Sequence, residues 1–183
     1  MTKAKKPKRM PGDPDRRARR ARIIRVDQAG EYGAVRIYEG QMAVLGKSKS
    51  APVIREMAEQ EQRHLKKFDS LMAENQVRPT ALMPLWHVAG FLLGAGSALL
   101  GEKAAMACTV AVEEAIDEHY AGQAAHLDDD PELRKTVEEF RRDELEHRET
   151  ALANGAREAP GYDALNAVVK AGSKLAIWLS ERI

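Results

Sequence analysis

A chain of 183 residues with 44% hydrophobic and 31% charged residues has the composition of one globular domain and excludes a disordered polymer. Its single cysteine, Cys108, excludes an intrachain disulfide scaffold and fits a reducing compartment. The formal charge of +1 hides an asymmetry: residues 1–20 hold nine basic and two acidic residues, and the remainder carries 20 basic against 26 acidic, which argues against a nucleic-acid-binding body.

Residues 1–20 contain three prolines, one glycine and no apolar periodicity, and they read as a basic disordered arm ahead of one domain over residues 21–183. No apolar stretch follows the basic run, so a secretory leader is not expected, and Asp13 and Asp15 fit a mitochondrial transit peptide poorly. From Ile23 onward good helix formers dominate, Gly and Pro fall at intervals that punctuate helices, and no strand is evident. The pattern predicts a first helix over about residues 20–45, closed by Gly46, and a second over about 51–75, broken at Arg78-Pro79-Thr80.

The next segment, residues 81–101 (ALMPLWHVAGFLLGAGSALLG), carries no formal charge. Its 21 residues just reach the length needed to span a bilayer, yet Pro84, His87 and its glycines dilute it. It reads as a buried or interfacial, membrane-associating hairpin that dips into one leaflet, with Trp86 at the headgroup level, and a plain core helix is the alternative. Glu102 opens a helix to about residue 127, Asp128-Asp129-Asp130-Pro131 starts another that Asn154-Gly155 ends, and a last amphipathic helix covers about 162–182, with Leu175, Ile177, Trp178 and Leu179 as a second candidate membrane contact.

Two histidines follow a glutamate by three residues, the offset that shares a helix face: Glu61 with His64 and Glu144 with His147. Thirty residues before Glu61 lies Glu31, and 31 before Glu144 lies Glu113, each in a small or apolar stretch. The chain is thus a repeat of a helix with one inward Glu and a helix with Glu-x-x-His. One Glu from each of two helices plus Glu-x-x-His from each of the other two is the ligand set of di-iron and di-manganese carboxylate bundles. Charge balance explains it, because four carboxylates would be ruinous in a desolvated core until two divalent ions offset them, and neutral imidazoles add nitrogen donors suited to iron. Glu61 and Glu144 can bridge both ions, while Glu31 and Glu113 each serve one. Glu113 is chosen over Glu114 because Glu114 lies nearer the acidic Asp117 and Glu118 face. Asp143 is a candidate acceptor for an imidazole N–H, and Tyr120, seven residues after Glu113, a candidate lining residue of a substrate channel, with Trp86 as the other. His87, His119 and His126 have no carboxylate partner at helical spacing that marks them as ligands, and Cys108 reads as a small buried side chain.

The runs RVDQAGEYGA at 25–34, RPTALMPLW at 78–86, AMACTVAVEE at 105–114 and LSER at 179–182 closely resemble the demethoxyubiquinone hydroxylase family, over about residue 22 to the C-terminus. The resemblance implies a ferritin-like di-iron monooxygenase of ubiquinone biosynthesis, with two Fe ions per subunit and O2 as co-substrate, and with NADH able to supply electrons. In that family the ligands correspond to Glu31, Glu61, His64, Glu113, Glu144 and His147, with no departure here. It further implies a polyprenyl quinone substrate, peripheral contact with a membrane surface, and partner proteins of ubiquinone biosynthesis. The cytoplasmic face of a bacterial inner membrane is the expected location, with the matrix side of the mitochondrial inner membrane as the alternative. A ferritin-like ferroxidase would use the same six ligands, and a non-catalytic lipid-binding protein would use none of them. Metal content and quinone turnover separate the three.

Overall fold

The computed structural model describes residues 15–183. They form six helices and one short 3-10 turn, with no strand among the described residues: α1 (Arg16–Leu45), α2 (Ala51–Asn75), α3 (Met83–Leu99), α4 (Glu102–Ala124), α5 (Pro131–Ala153), the turn Ala156–Glu158, and α6 (Tyr162–Ser180). The chain is therefore an all-α helical bundle.

Helix α1 begins four residues earlier than its sequence pattern indicates, so Arg16 to Arg20 are helical and not part of a disordered arm. Asp15 caps it, its carboxylate accepting the Ala18 N–H at 2.6 Å. Arg19 and Arg20 pair with Asp129 and Asp130 in the loop before α5. Those partners lie 110 residues away, which is why composition alone pointed to disorder. Residues 1–14 of the expected arm lie outside the described residues.

Helices α1, α2, α4 and α5 make the bundle, and each half repeats one plan: α2 packs on α1 and α3 returns onto α1, just as α5 packs on α4 and α6 returns onto α4. The core is two apolar clusters. Ile24, Phe68, Val137 and Phe140 belong to one, and Leu45, Ile54, Met57 and Ala151 to the other. In chain order these flank the glutamates and histidines on every helix, so the polar centre is sealed above and below. Truncating a fully buried member such as Phe68 to Ala is expected to cost about 3–5 kcal/mol.

Residues 81–101 do not form a hairpin. They make the single helix α3 and the turn into α4, in which Gly101 takes a φ of 114°. The reason lies in glycines on both helices: a Cβ on Gly94 of α3 would collide with the Ile37 carbonyl, and one on Gly40 of α1 with the carbonyl of Phe91, so α3 lies tightly along α1 through backbone contact. What α3 does not bury is apolar, with Leu85, Val88 and Leu92 exposed, and α6 likewise exposes Val168, Leu175 and Trp178. No helix among the described residues is long and apolar enough to cross a membrane.

Candidate metal centre

The middle of the bundle holds six buried ionisable side chains, one or two from each long helix. Glu31 of α1, Glu61 and His64 of α2, and Glu144 of α5 form one group; Glu61, Glu113 of α4, Glu144 and His147 of α5 form the second. Within each group one ligand-type atom per residue lies within 4.8 Å of the others, and Glu61 and Glu144 belong to both. All six side chains named from the spacing of the sequence stand at this one place, none more than 2% exposed. Glu114 points elsewhere, to Lys170 at 2.9 Å.

The donors are left unsatisfied by the protein. Both oxygens of Glu61 and of Glu144, one oxygen each of Glu31 and Glu113, and Nδ1 of both histidines have no hydrogen-bond partner among the described residues. Buried polar atoms are rarely orphaned, and here eight of them converge. His64 Nδ1 sits 3.3 Å from Glu144 and 3.5 Å from Glu31, and His147 Nδ1 sits 3.0 Å from Glu61. Oxygens and imidazole nitrogens at this density are a donor set that could hold metal.

Without an ion the electrostatics are frustrated. Burial pushes the carboxyls of Glu31, Glu61 and Glu113 up, and the charge of Glu144 pushes all three further. Glu144 is buried too, but His147 and His64 overcome that and hold it below the usual carboxylate range. Burial would depress His64, yet Glu144 and Glu31 beside it push the imidazole up to about 11. Bound cations invert this logic, since they favour ionised carboxylates and neutral imidazoles.

Around these six a second layer fixes their orientation. Asp143 Oδ2 lies 2.9 Å from His64 Nε2, in place to accept its proton, and the Phe140 ring stacks on the same imidazole at 3.9 Å. Tyr120 donates to Glu31, and Tyr38 donates to Glu113 at 2.9 Å. Burial and the adjacent carboxylates hold both phenols well above their ordinary value, so they stay donors. Tyr38 escaped the sequence reading although it follows Glu31 by the seven residues that separate Tyr120 from Glu113. The signal was the repeat itself. His119, given no partner by helical spacing, approaches Asp27 of α1 at 3.1 Å, and Tyr32 meets His87 at 2.6 Å; both pairs join different helices.

Beside the centre lies an apolar cavity of about 320 Å³ between α1, α3, α4 and α6. Gly30 and Val112, the chain neighbours of Glu31 and Glu113, form part of its wall, and Trp86, Leu93 and Ile177 form another part. The Trp86 indole N–H donates to Ser180 Oγ at 3.0 Å, tying α3 to α6 across it. Tyr120 is not among the lining residues; it stands behind Glu31.

A helical bundle with this buried carboxylate and histidine cluster, flanked by an apolar cavity, defines a class: the helical-bundle proteins whose core carries a candidate carboxylate and histidine metal site. The family described as "Ubiquinone biosynthesis protein COQ7" matches residues 18–180, and the chain belongs to it. It is 60% identical over 177 residues to the 3-demethoxyubiquinol 3-hydroxylase of Rhodospirillum rubrum, covering 96% of this chain and 84% of the relative. It is 56% identical over 167 residues to the human mitochondrial NADPH-dependent 3-demethoxyubiquinone 3-hydroxylase, covering 88% and 77%. The yeast mitochondrial 5-demethoxyubiquinone hydroxylase is 40% identical over 180 residues. These relatives are named as hydroxylases, which favours an enzyme over the ferroxidase and lipid-binding readings that the donor set alone leaves open.

Proposed function

We propose that this chain is a ferritin-like di-iron monooxygenase that hydroxylates the ring of a demethoxyubiquinone-type polyprenyl quinone or quinol in ubiquinone biosynthesis. The observation that carries the reading is the pair of buried four-residue groups sharing Glu61 and Glu144. Glu31 and His64 would hold one ion, Glu113 and His147 the other, and the shared carboxylates would bridge them. The orphaned donors fit two divalent ions, whose charge offsets four carboxylates. When bound, ferrous iron supplies the reductive chemistry of dioxygen that places one oxygen atom on a ring carbon while the other leaves as water.

The protein's own part is placement and dryness. In this reading the apolar cavity takes the quinone ring against Gly30 and Val112, beside Glu31 and Glu113, and the sealed clusters above and below exclude water. Tyr38, Tyr120 and Asp143 keep the carboxylates and one imidazole oriented. A reduced nicotinamide supplies the two electrons; the human relative is named as NADPH-dependent. Because a polyprenyl tail resides in lipid, the exposed apolar faces of α3 and α6 are assigned to the membrane surface, on the cytoplasmic face of a bacterial inner membrane. Other proteins of ubiquinone biosynthesis are the expected partners.

The test is turnover of a short-chain demethoxyubiquinone analogue by protein reconstituted anaerobically with ferrous iron, then given NADH and 18O-labelled dioxygen. The expected result is near two irons per chain and product carrying one labelled oxygen, with both lost in Glu144→Ala. Full hydroxylation by an iron-free Glu61→Ala or His147→Ala variant would refute the proposal.

A further inference from the structure

The two halves of the bundle match closely at the centre: Glu31 with Glu113, Tyr38 with Tyr120, and Glu61-x-x-His64 with Glu144-x-x-His147. Two differences beside it matter here: Phe140 stands where the first half has Met57, and the residue before the shared glutamate changes. The residue preceding the shared glutamate is Asp143 in the second half and Gln60 in the first. Asp143 reaches across to the opposite half, its Oδ2 2.9 Å from His64 Nε2. Nothing answers it on the other side. His147 is 2% exposed, and its Nε2 has no hydrogen-bond partner among the described residues.

We infer that the two ion positions are unequal, and that Asp143 is the positioning residue that makes the position of Glu31 and His64 the tighter of the two. The inference rests on the two-ion reading proposed above. An imidazole whose Nε2–H is held by a carboxylate is fixed in the tautomer that presents the Nδ1 lone pair to an ion, and the carboxylate raises its basicity. The Phe140 ring stacked on His64 removes its remaining freedom. His147 meets the Tyr38 ring edge-on, centroids 6.3 Å apart, and the His64 ring at 6.4 Å, with no closely stacked partner, and must both select its tautomer and leave Nε2 unpaired in a dry core. Such outer partners typically carry about 10- to 100-fold in metal affinity, so loading proceeds in two separated steps.

Metal-free full-length protein titrated with Co(II), followed by calorimetry and visible absorbance, tests this. Two ions binding in steps separated by about 10-fold or more are expected, with Asp143→Asn weakening the first step by about 10- to 100-fold and leaving the second in place. The substitution is isosteric on a side chain 31% exposed, and circular dichroism checks the fold. Gln60→Ala is expected to change neither step; if it weakens the second, Gln60 supports His147 and the inequality is overturned. Two ions of equal affinity in the unaltered protein, or an equal loss at both steps in Asp143→Asn, overturn this inference and leave the dinuclear reading standing. Fewer than two ions overturn both.

Discussion

Tyr38 lies on the helix that carries Glu31, yet its hydroxyl donates at 2.9 Å to Glu113 of α4, while Tyr120 of α4 donates back to Glu31. Each phenol thus occupies one oxygen of the opposite carboxylate and leaves the other without a partner. Tyr38→Phe keeps the ring in the core and removes only the donor. The expected cost is about 1–3 kcal/mol in stability from the buried unpaired oxygen. Metal should be lost about 10- to 100-fold more readily, read as chelator competition. Tyr120→Phe should act alike through Glu31. Unchanged chelator competition in both variants would remove the orienting role.

Metal-free protein should lose stability as pH rises. Glu31, Glu61 and Glu113 have pKa values raised above 4.5, so the folded state holds protons that the unfolded chain releases. Their contribution is full below about pH 4.5 and is lost as pH climbs through the folded values. His64 has the same sign, full below 6.5 and lost on approach to about 11. Glu144 opposes them, its contribution present above 4.5 and lost as pH falls below it. Three raised carboxyls and two raised imidazoles, His64 and His147, outweigh one lowered carboxyl over about pH 5–9. Thermal melts of chelator-treated protein should fall across that range, and iron-loaded protein should not follow, since binding expels the protons. A metal-free melting temperature that climbs with pH contradicts the assignment.

The sequence made the six central residues legible because helical offset and the repeat of 30 and 31 residues are local regularities. The bounds of α2 were also readable, since Gly46 closes the helix before it and the break at Arg78-Pro79 follows it. The start of α1 was not, because it depends on Arg19 and Arg20 meeting Asp129 and Asp130 far along the chain. Partners joined across the bundle, such as Asp27 with His119, have no spacing rule to betray them. The uncharged run 81–101 misled in shape because its glycines, read as diluting a membrane segment, instead admit the backbone of α1.

Those glycines give two opposite expectations. At Gly94 a Cβ would strike the Ile37 backbone carbonyl, so Gly94→Ala must push α3 off α1, at a cost of about 1–3 kcal/mol in a denaturant titration. At Gly33, which lines the cavity, a Cβ meets nothing within 4 Å. Gly33→Leu should therefore fold and bind metal while filling the space assigned to the quinone, raising KM or abolishing turnover. A Gly33→Leu enzyme with unaltered kinetics would show that the ring does not enter there.

The exposed apolar faces of α3 and α6 make the membrane assignment testable without turnover. Leu92 is 63% exposed and Leu175 is 57% exposed, on the two helices that wall the cavity. Placing a carboxylate at each removes apolar area at about 25 cal/mol per Å² and sets negative charge against an anionic leaflet. Neither side chain is buried, so the Leu92→Asp/Leu175→Asp double variant should keep its fold and its metal. In flotation with vesicles containing anionic phospholipid, the unaltered protein should rise with the lipid and the double variant should stay behind. Equal flotation of the two would move the membrane contact to another surface.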